Sequence, residues 1–278
     1  MESRSDKKII FAGHLEEYDD LEKWKRDAPL DIENPDNQEA LIKIVNALVE
    51  KIKTNGKKAV LFISSSKLRS KQTSKLIAKE LKNKLGNDIK IIFNIEGNLD
   101  GNDQGEFILP DEYVVGQVFE GLKLAGKIYL SEFSINKNLD YRFGDPFLLE
   151  NGDYKYPELV SFFNKSGESY KEPLLRMFNS VLDMSNKTEK FEKNTEIVIV
   201  AHGLTYHVLK GLTIVADNIL NKNYIIQKGE LPFKIWEEYL KTGIELKGEA
   251  YGFIDISNLE NPELIKMLQE EVQYLNNK

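Results

Sequence analysis

The chain has no cysteine, which excludes disulfides, thiolate nucleophiles and cysteine-ligated metal centres. It also has no basic excess: its formal net charge of -7 argues against a general nucleic-acid or membrane-surface binder. No apolar stretch reaches the length of a signal peptide or a membrane span, so we expect a cytoplasmic protein with no membrane partner. The phosphate-loop, dinucleotide and serine-hydrolase glycine motifs are absent as well, which leaves those classes without support.

What the chain does contain is a series of short apolar runs separated by amphipathic segments. Hydrophobic residues make up 41% of the sequence, enough for a sizeable core. The runs at 8–13, 59–64, 89–95, 196–202 and 250–257 are continuous rather than alternating, which is typical of strands covered on both faces. Helical spacing lies between them, and two of these helices are predicted to end at Gly56 and Gly86. The pattern predicts a three-layer α/β/α sandwich with a mostly parallel central sheet.

The stretch from about 105 to 167 breaks this alternation. It combines a possible helix near 111–125 with turn-rich segments such as Arg142-Phe143-Gly144-Asp145-Pro146. We therefore expect one domain over 1–278, with an insertion at about 105–167 that caps the functional site.

Histidine is scarce, and its placement is the strongest functional signal. Of the three histidines, His14 and His202 each follow the end of an apolar strand, where α/β proteins carry their chemistry. Arg69 lies in a polar segment after a third strand. Two imidazoles and a guanidinium delivered by three strand ends suit a phosphoryl group. His207 lies five residues after His202, which is not the spacing of helical metal ligands, so it is interpreted as a packing or pocket-wall residue.

The order of these motifs resembles the histidine phosphatase superfamily, the phosphoglycerate-mutase-like proteins. The family's opening Arg-His-Gly-Glu corresponds to Gly13-His14-Leu15-Glu16, and its second element to the stretch from Ala28 to Ala40. The family's Ser-Pro-Leu-x-Arg-Ala-x-Gln-Thr-Ala segment corresponds to residues 65–74, and its Gly-Glu-Ser element to Gly167-Glu168-Ser169 followed by Arg176. The closing strand with His-Gly corresponds to His202-Gly203. The resemblance spans nearly the whole chain and implies the phosphoglycerate-mutase-like fold.

The resemblance implies hydrolysis of a phosphate monoester without metal or cofactor. His14 would attack phosphorus through a neutral ring nitrogen and form a phosphohistidine. Arg69 and His202 would neutralise charge on the non-bridging oxygens, with Ser65 and Gly203 completing the phosphate site. The helix starting near Gly203 would add backbone N–H groups and its positive end. The expected partner is a small phosphorylated organic molecule.

The general acid is less well defined by the sequence. The family uses a carboxylate in the loop after its third strand, and three acidic residues lie in the corresponding loop here. Asp100 is the first choice because it directly follows Leu99, while Asp103 and Glu106 remain alternatives.

One departure leaves the activity open. The family's first arginine, which binds the phosphoryl oxygens, is Gly13 in this chain. Loss of one transition-state donor costs about 10² to 10³ in rate, unless another cation such as Lys67 or Arg142 fills the space. Two alternatives therefore stand beside hydrolysis: a weak or silent relative that binds a phosphorylated ligand or a protein partner, and a phosphoglycerate-mutase-type phosphotransferase. The sequence predicts neither the substrate nor the oligomeric state.

Overall fold

The computed structural model describes residues 8–13, 15, 30–101, 106–107, 115–135, 141–169, 171–188, 194–242, 251–255 and 261–277. Its strands are β1 (Lys8–Gly13), β2 (Ala59–Ser64), β3 (Lys90–Ile95), β4 (Glu106–Phe107), β5 (Phe163–Lys165), β6 (Thr195–Ala201) and β7 (Tyr251–Asp255). Its helices are α1 (Pro35–Thr54), α2 (Leu68–Leu85), α3 (Val115–Ile135), α4 (Pro157–Val160), α5 (Lys171–Thr188), α6 (Gly203–Leu220), α7 (Leu231–Thr242) and α8 (Pro262–Asn276). Of the helices in these ranges, none has the length and apolar character needed to cross a bilayer.

The central sheet has the strand order β3-β2-β6-β1-β7. Strands β3, β2, β6 and β1 are parallel to their neighbours, whereas β7 is antiparallel to β1. The predicted α/β class with a mostly parallel central sheet is therefore confirmed. Because the four parallel strands share one direction, their carboxyl ends lie along a single edge of the sheet.

Helices cover both faces of this sheet, and the alternation of side chains along β1 shows how. Ile10 and Ala12 belong to a buried cluster formed with residues of α1 and α2. Phe11, which points to the other face, contacts Tyr206 of α6 with ring centroids 5.1 Å apart. The same tyrosine lies against Gly252 of β7, where an added Cβ would come within 2.6 Å of its hydroxyl oxygen. The third layer is thus packed too closely for a side chain at that position.

Helix boundaries follow local signals in the sequence. Asn34 caps α1 by accepting a hydrogen bond from the N–H of Asp36 at 2.9 Å, and Asn261 caps α8 in the same way. Gly86 directly follows α2 with a φ of +81°, so the predicted glycine end of that helix is confirmed. Helix α1 ends at Thr54 with Asn55 as its cap, and Gly56, with a φ of +60°, is the next residue.

The chain forms two compact units, one from residues 1–101 with 176–278 and the other from residues 102–175. The predicted insertion at about 105–167 falls within the second unit. This unit contains β4 and β5, which pair antiparallel, together with α3 and α4. Helix α3 extends to Ile135, well past the predicted end near 125. Gly121 lies inside this helix. A Cβ at this position would stand 2.6 Å from the ring of Phe162, so the glycine leaves room for that ring.

Candidate functional site

The carboxyl ends of β1, β2 and β6 are adjacent in the sheet. Gly13 is the register partner of Ala201, and Ser64 is the register partner of Val200. Position 14 and position 202 therefore each follow one member of a register pair on neighbouring parallel strands. The loops that follow β1, β2 and β6 therefore all begin at the same edge of the sheet.

His202 is the residue at the junction of β6 and α6. It caps α6 with extended backbone angles, and only 6% of its surface is exposed. Its Nδ1 atom lies 3.4 Å from a terminal nitrogen of the Arg69 guanidinium, and its Nε2 atom lies 3.1 Å from the hydroxyl of Ser65. The structure thus brings together three of the residues that the sequence singles out, from two different strand ends.

These contacts assign the hydrogen-bonding roles of the two ring nitrogens of His202. A guanidinium can only donate hydrogen bonds, so Nδ1 accepts and Nε2 carries the proton of a neutral imidazole. Nε2 then donates to Ser65 Oγ, which in turn donates to Ser70 Oγ at 2.9 Å. Ser65 is completely buried. Its position suits orienting His202 more than touching a ligand directly.

Two further residues of the same motif have a supporting role. The hydroxyl of Thr73 accepts a hydrogen bond from the N–H of Leu15 at 3.1 Å, and the amide of Gln72 accepts one from the N–H of Leu30 at 2.9 Å. Thr73 also donates to the carbonyl of Arg69 at 2.8 Å. Helix α2 therefore anchors the chain just after position 14. His14 itself lies outside the described residues.

The three acid candidates fall in different surroundings. Asp100 follows a short 3₁₀ turn over Gly97–Leu99, and its carboxylate accepts hydrogen bonds from Ser66 N at 2.7 Å and Ser66 Oγ at 2.6 Å. This links the loop after β3 to the start of α2, three residues before Arg69. Asp103 lies outside the described residues. Glu106 belongs to β4 in the second unit, where it pairs with Lys165.

The loop that carries Asp100 is held by residues whose role the sequence does not reveal. Arg176 of α5 donates to the carbonyls of Asn98, Asp100 and Gly101 at 3.4, 3.1 and 3.3 Å. Thr205, buried on α6, donates to the carbonyl of Leu99 at 3.0 Å. The family resemblance singles out Arg176, but only the fold shows what it binds.

Positive charge and helix polarity both favour an anion at this edge. The amino end of α6 follows His202 directly, and a Cβ placed on Gly203 would meet no other atom within 4 Å, so its backbone is approachable. Lys67 caps the start of α2, next to Arg69 in sequence. Arg142, by contrast, binds Glu172 through two hydrogen bonds of 3.2 and 3.1 Å inside the second unit. Within the described residues, no three acidic or histidine side chains come together to hold a metal ion.

Comparisons with known proteins give resemblances in structure and none in sequence. No family model matches the chain, and no curated protein matches its sequence. Among solved structures, a mycobacterial glucosyl-3-phosphoglycerate phosphatase, solved in complex with VO3, is 15% identical with a TM-score of 0.41. The match covers 81% of this chain and 86% of that one. A likeness of this degree carries no information about the site residues.

Proposed function

We propose that this chain hydrolyses a small phosphorylated organic molecule through a phosphohistidine on His14. Arg69 and His202 bind the phosphoryl oxygens, and Asp100 protonates the leaving group, with Asp103 and Glu106 as alternative acids. The observation that carries the proposal is the contact between the Arg69 guanidinium and the His202 imidazole at the carboxyl ends of β2 and β6.

The position of residue 14 in the topology supports the nucleophile. It follows Gly13, whose register partner Ala201 precedes His202. The hydrogen bond from Leu15 to Thr73 attaches the next residue to the helix that carries Arg69. Helix α6 contributes backbone N–H groups and its positive end to the same edge. A dianionic phosphoryl group would meet a guanidinium, an imidazole and a helix amino end together.

The reaction proceeds in two displacements. A ring nitrogen of His14 forms a bond to phosphorus while the ester P–O bond breaks, and the acid gives its proton to the departing alcohol oxygen. Water then attacks the phosphohistidine, the N–P bond breaks and the same carboxylate takes the proton from that water. The products are an alcohol and inorganic phosphate, and the enzyme returns to its starting state.

A second function is favoured by one specific feature, the glycine at position 13. Gly13 is the last residue of β1 and offers no cation to the phosphoryl oxygens. A relative that binds a phosphorylated ligand without turning it over would need the anion site but not the full set of transition-state donors. The phosphotransferase alternative uses the same phosphohistidine and differs only in the acceptor.

The test is hydrolysis of p-nitrophenyl phosphate, with vanadate binding measured in parallel. We expect release of phosphate by the wild-type chain, a phosphohistidine trapped by acid-free quenching, and loss of both in His14→Gln. His207→Gln is the matched control, because it removes an imidazole that lies beside Tyr206 rather than at the strand end.

Vanadate binding without turnover or phosphohistidine would overturn hydrolysis in favour of the binding function. Absence of both binding and turnover would reject the phosphate site altogether. Phosphate transfer to an added alcohol or sugar acid, faster than to water, would identify the phosphotransferase instead.

A further inference from the structure

We propose that Arg176 is a positioning residue for His202, acting through the backbone of the loop from Asn98 to Gly101. Its hydrogen bonds hold the loop, and the loop packs against the imidazole. The relevance of this arrangement to catalysis rests on the proposed function.

Several hydrogen bonds converge on this loop. The two terminal nitrogens of Arg176 reach three carbonyls in a four-residue segment, at 3.1 to 3.4 Å. Only a planar guanidinium has donors arranged to reach several acceptors from one rigid group; a lysine ammonium is a compact point charge on a flexible stem. Thr205 holds the remaining carbonyl of the segment, that of Leu99. All four backbone carbonyls from 98 to 101 are therefore bound.

The bound backbone lies beside the histidine ring. A Cβ built on Gly101 would stand 3.2 Å from Cγ, 3.4 Å from Cβ and 3.5 Å from Cδ2 of His202. The backbone of Gly101 therefore packs directly against the imidazole. Ser65 holds the Nε2 atom of the same ring. The loop packs against one side of the imidazole ring, and the hydrogen bonds of Arg176 hold the loop in that position.

Gly101 and Arg176 also border the segment of residues 102–175 in the sequence. Gly101 is the last residue of the first unit before the chain enters residues 102–175, and Arg176 is the first residue after them. The hydrogen bond from Arg176 to the Gly101 carbonyl thus joins the point where the chain leaves the first unit to the point where it returns.

The experiment uses the full chain and two perturbing variants, Arg176→Lys and Gly101→Ala. Gly97→Ala is the matched control, because a Cβ at Gly97 meets nothing within 4 Å although it lies in the same loop. With ¹⁵N-labelled histidine, the three imidazoles can be read separately, and His202→Gln assigns the signal of interest. This readout needs no substrate.

We expect both perturbing variants to change the ring ¹⁵N shifts and the tautomer balance of His202 while the His207 signals stay unchanged. Activity on p-nitrophenyl phosphate should fall about 10- to 100-fold in kcat, with KM altered much less, because a small misplacement of a catalytic group is costly. Gly97→Ala should match the wild type in both measurements.

His202 signals identical to wild type in folded Arg176→Lys and Gly101→Ala would overturn the inference. So would equal changes in Gly97→Ala, since any loop alteration would then have the same effect. Failure of the proposed function would give a different result, because the wild type would then neither bind vanadate nor form a phosphohistidine. The ¹⁵N signals of His202 would still show whether Arg176→Lys changes the position of the ring.

Discussion

The two ends of β6 both carry buried polar groups, but they satisfy them in different ways. At the amino end, Glu196 is paired with Lys51 of α1, so opposite charges neutralise each other inside the protein. At the carboxyl end, the guanidinium of Arg69 contacts the Nδ1 atom of His202. The first arrangement pairs two opposite charges within the protein and stabilises the fold. The second places a cationic group beside a helix amino end, which is what an anionic ligand requires.

Removing Arg69 should have the largest effect on function. Arg69→Met is expected to lower kcat/KM for p-nitrophenyl phosphate by about 10² to 10³, since a donor to the transition-state oxygens is lost. Vanadate affinity should fall with it. Steady-state kinetics and vanadate inhibition measure both, with Lys71→Met on the same helix as the control. An unchanged kcat/KM would show that the two ends of β6 do not differ in function.

A substitution at the amino end of β6 should lower the stability of the protein and leave its affinity for vanadate unchanged. Lys51→Met leaves the Glu196 carboxylate buried without its ammonium, and we expect a loss of about 2 to 3 kcal/mol in the free energy of unfolding. This loss is smaller than the usual loss of about 3 to 5 kcal/mol for breaking a buried ion pair, because the Lys51 side chain is 15% exposed. Urea titration measures it.

The double variant K51M/E196L serves as the control for this second prediction. It should recover most of the loss, because replacing both charges removes the uncompensated one. A vanadate affinity that falls as far in Lys51→Met as in Arg69→Met would break the comparison between the two ends.

A pair of buried serines offers a finer test. Ser65 Oγ is bonded to His202 and Ser70, whereas Ser180 Oγ is buried with no hydrogen-bond partner in the described part of the chain. Ser65→Ala should cost about 1 to 2 kcal/mol because a ring N–H is left unsatisfied. Ser180→Ala should stay within about 0.5 kcal/mol of wild type or stabilise. Thermal and urea unfolding measure the free energy of unfolding of both variants. An equal loss of stability in Ser65→Ala and Ser180→Ala would contradict the role given to Ser65.

The smallest expected effect concerns Glu271, a buried carboxyl that accepts a hydrogen bond from Gly229 N at 2.9 Å. Burial raises its pKa, an effect that hydrogen bonds from Gly229 and Leu231 and the nearby Lys228 oppose. A raised folded-state pKa means that this contribution to stability is fully present below the unfolded pKa, about 4.3, and is lost as the pH rises through the folded value.

Glu271→Gln should therefore gain on the wild type as the pH increases across that window. The measurement is the difference in Tm between the two proteins at a series of pH values. A difference that stays constant with pH would contradict the raised pKa of Glu271.

Much of the secondary structure was predictable because its causes are local. The apolar runs became strands within one or two residues of their expected limits. The start of α8 carries two local signals, the cap residue Asn261 and Pro262 in the first turn. Helix α7 and the short strands β4 and β5 were not predicted. Strands of two and three residues are too short to show a period. The predicted end of α3 near residue 125 was wrong, because the helix continues to Ile135.

For the candidate site, sequence reasoning found Arg69 and His202 but not the contacts that hold them. Ser65 and His202 are separated by 137 residues, and Arg176 lies 75 residues from Gly101. No local pattern marks such pairs, because each contact depends on how strands and helices from different parts of the chain are packed.

By itself, the sequence determined the five strands of the central sheet, most of the helices, the α/β class and the residue types at the strand ends. Periodicity, capping and chain direction are properties of neighbouring residues. Only the tertiary structure decided that Arg69 meets the Nδ1 atom of His202, that Ser65 orients the ring and that Arg176 holds the loop behind it. The physical reason is that hydrogen bonds need atoms within about 3 Å, and folding alone brings together groups that lie so far apart in the chain.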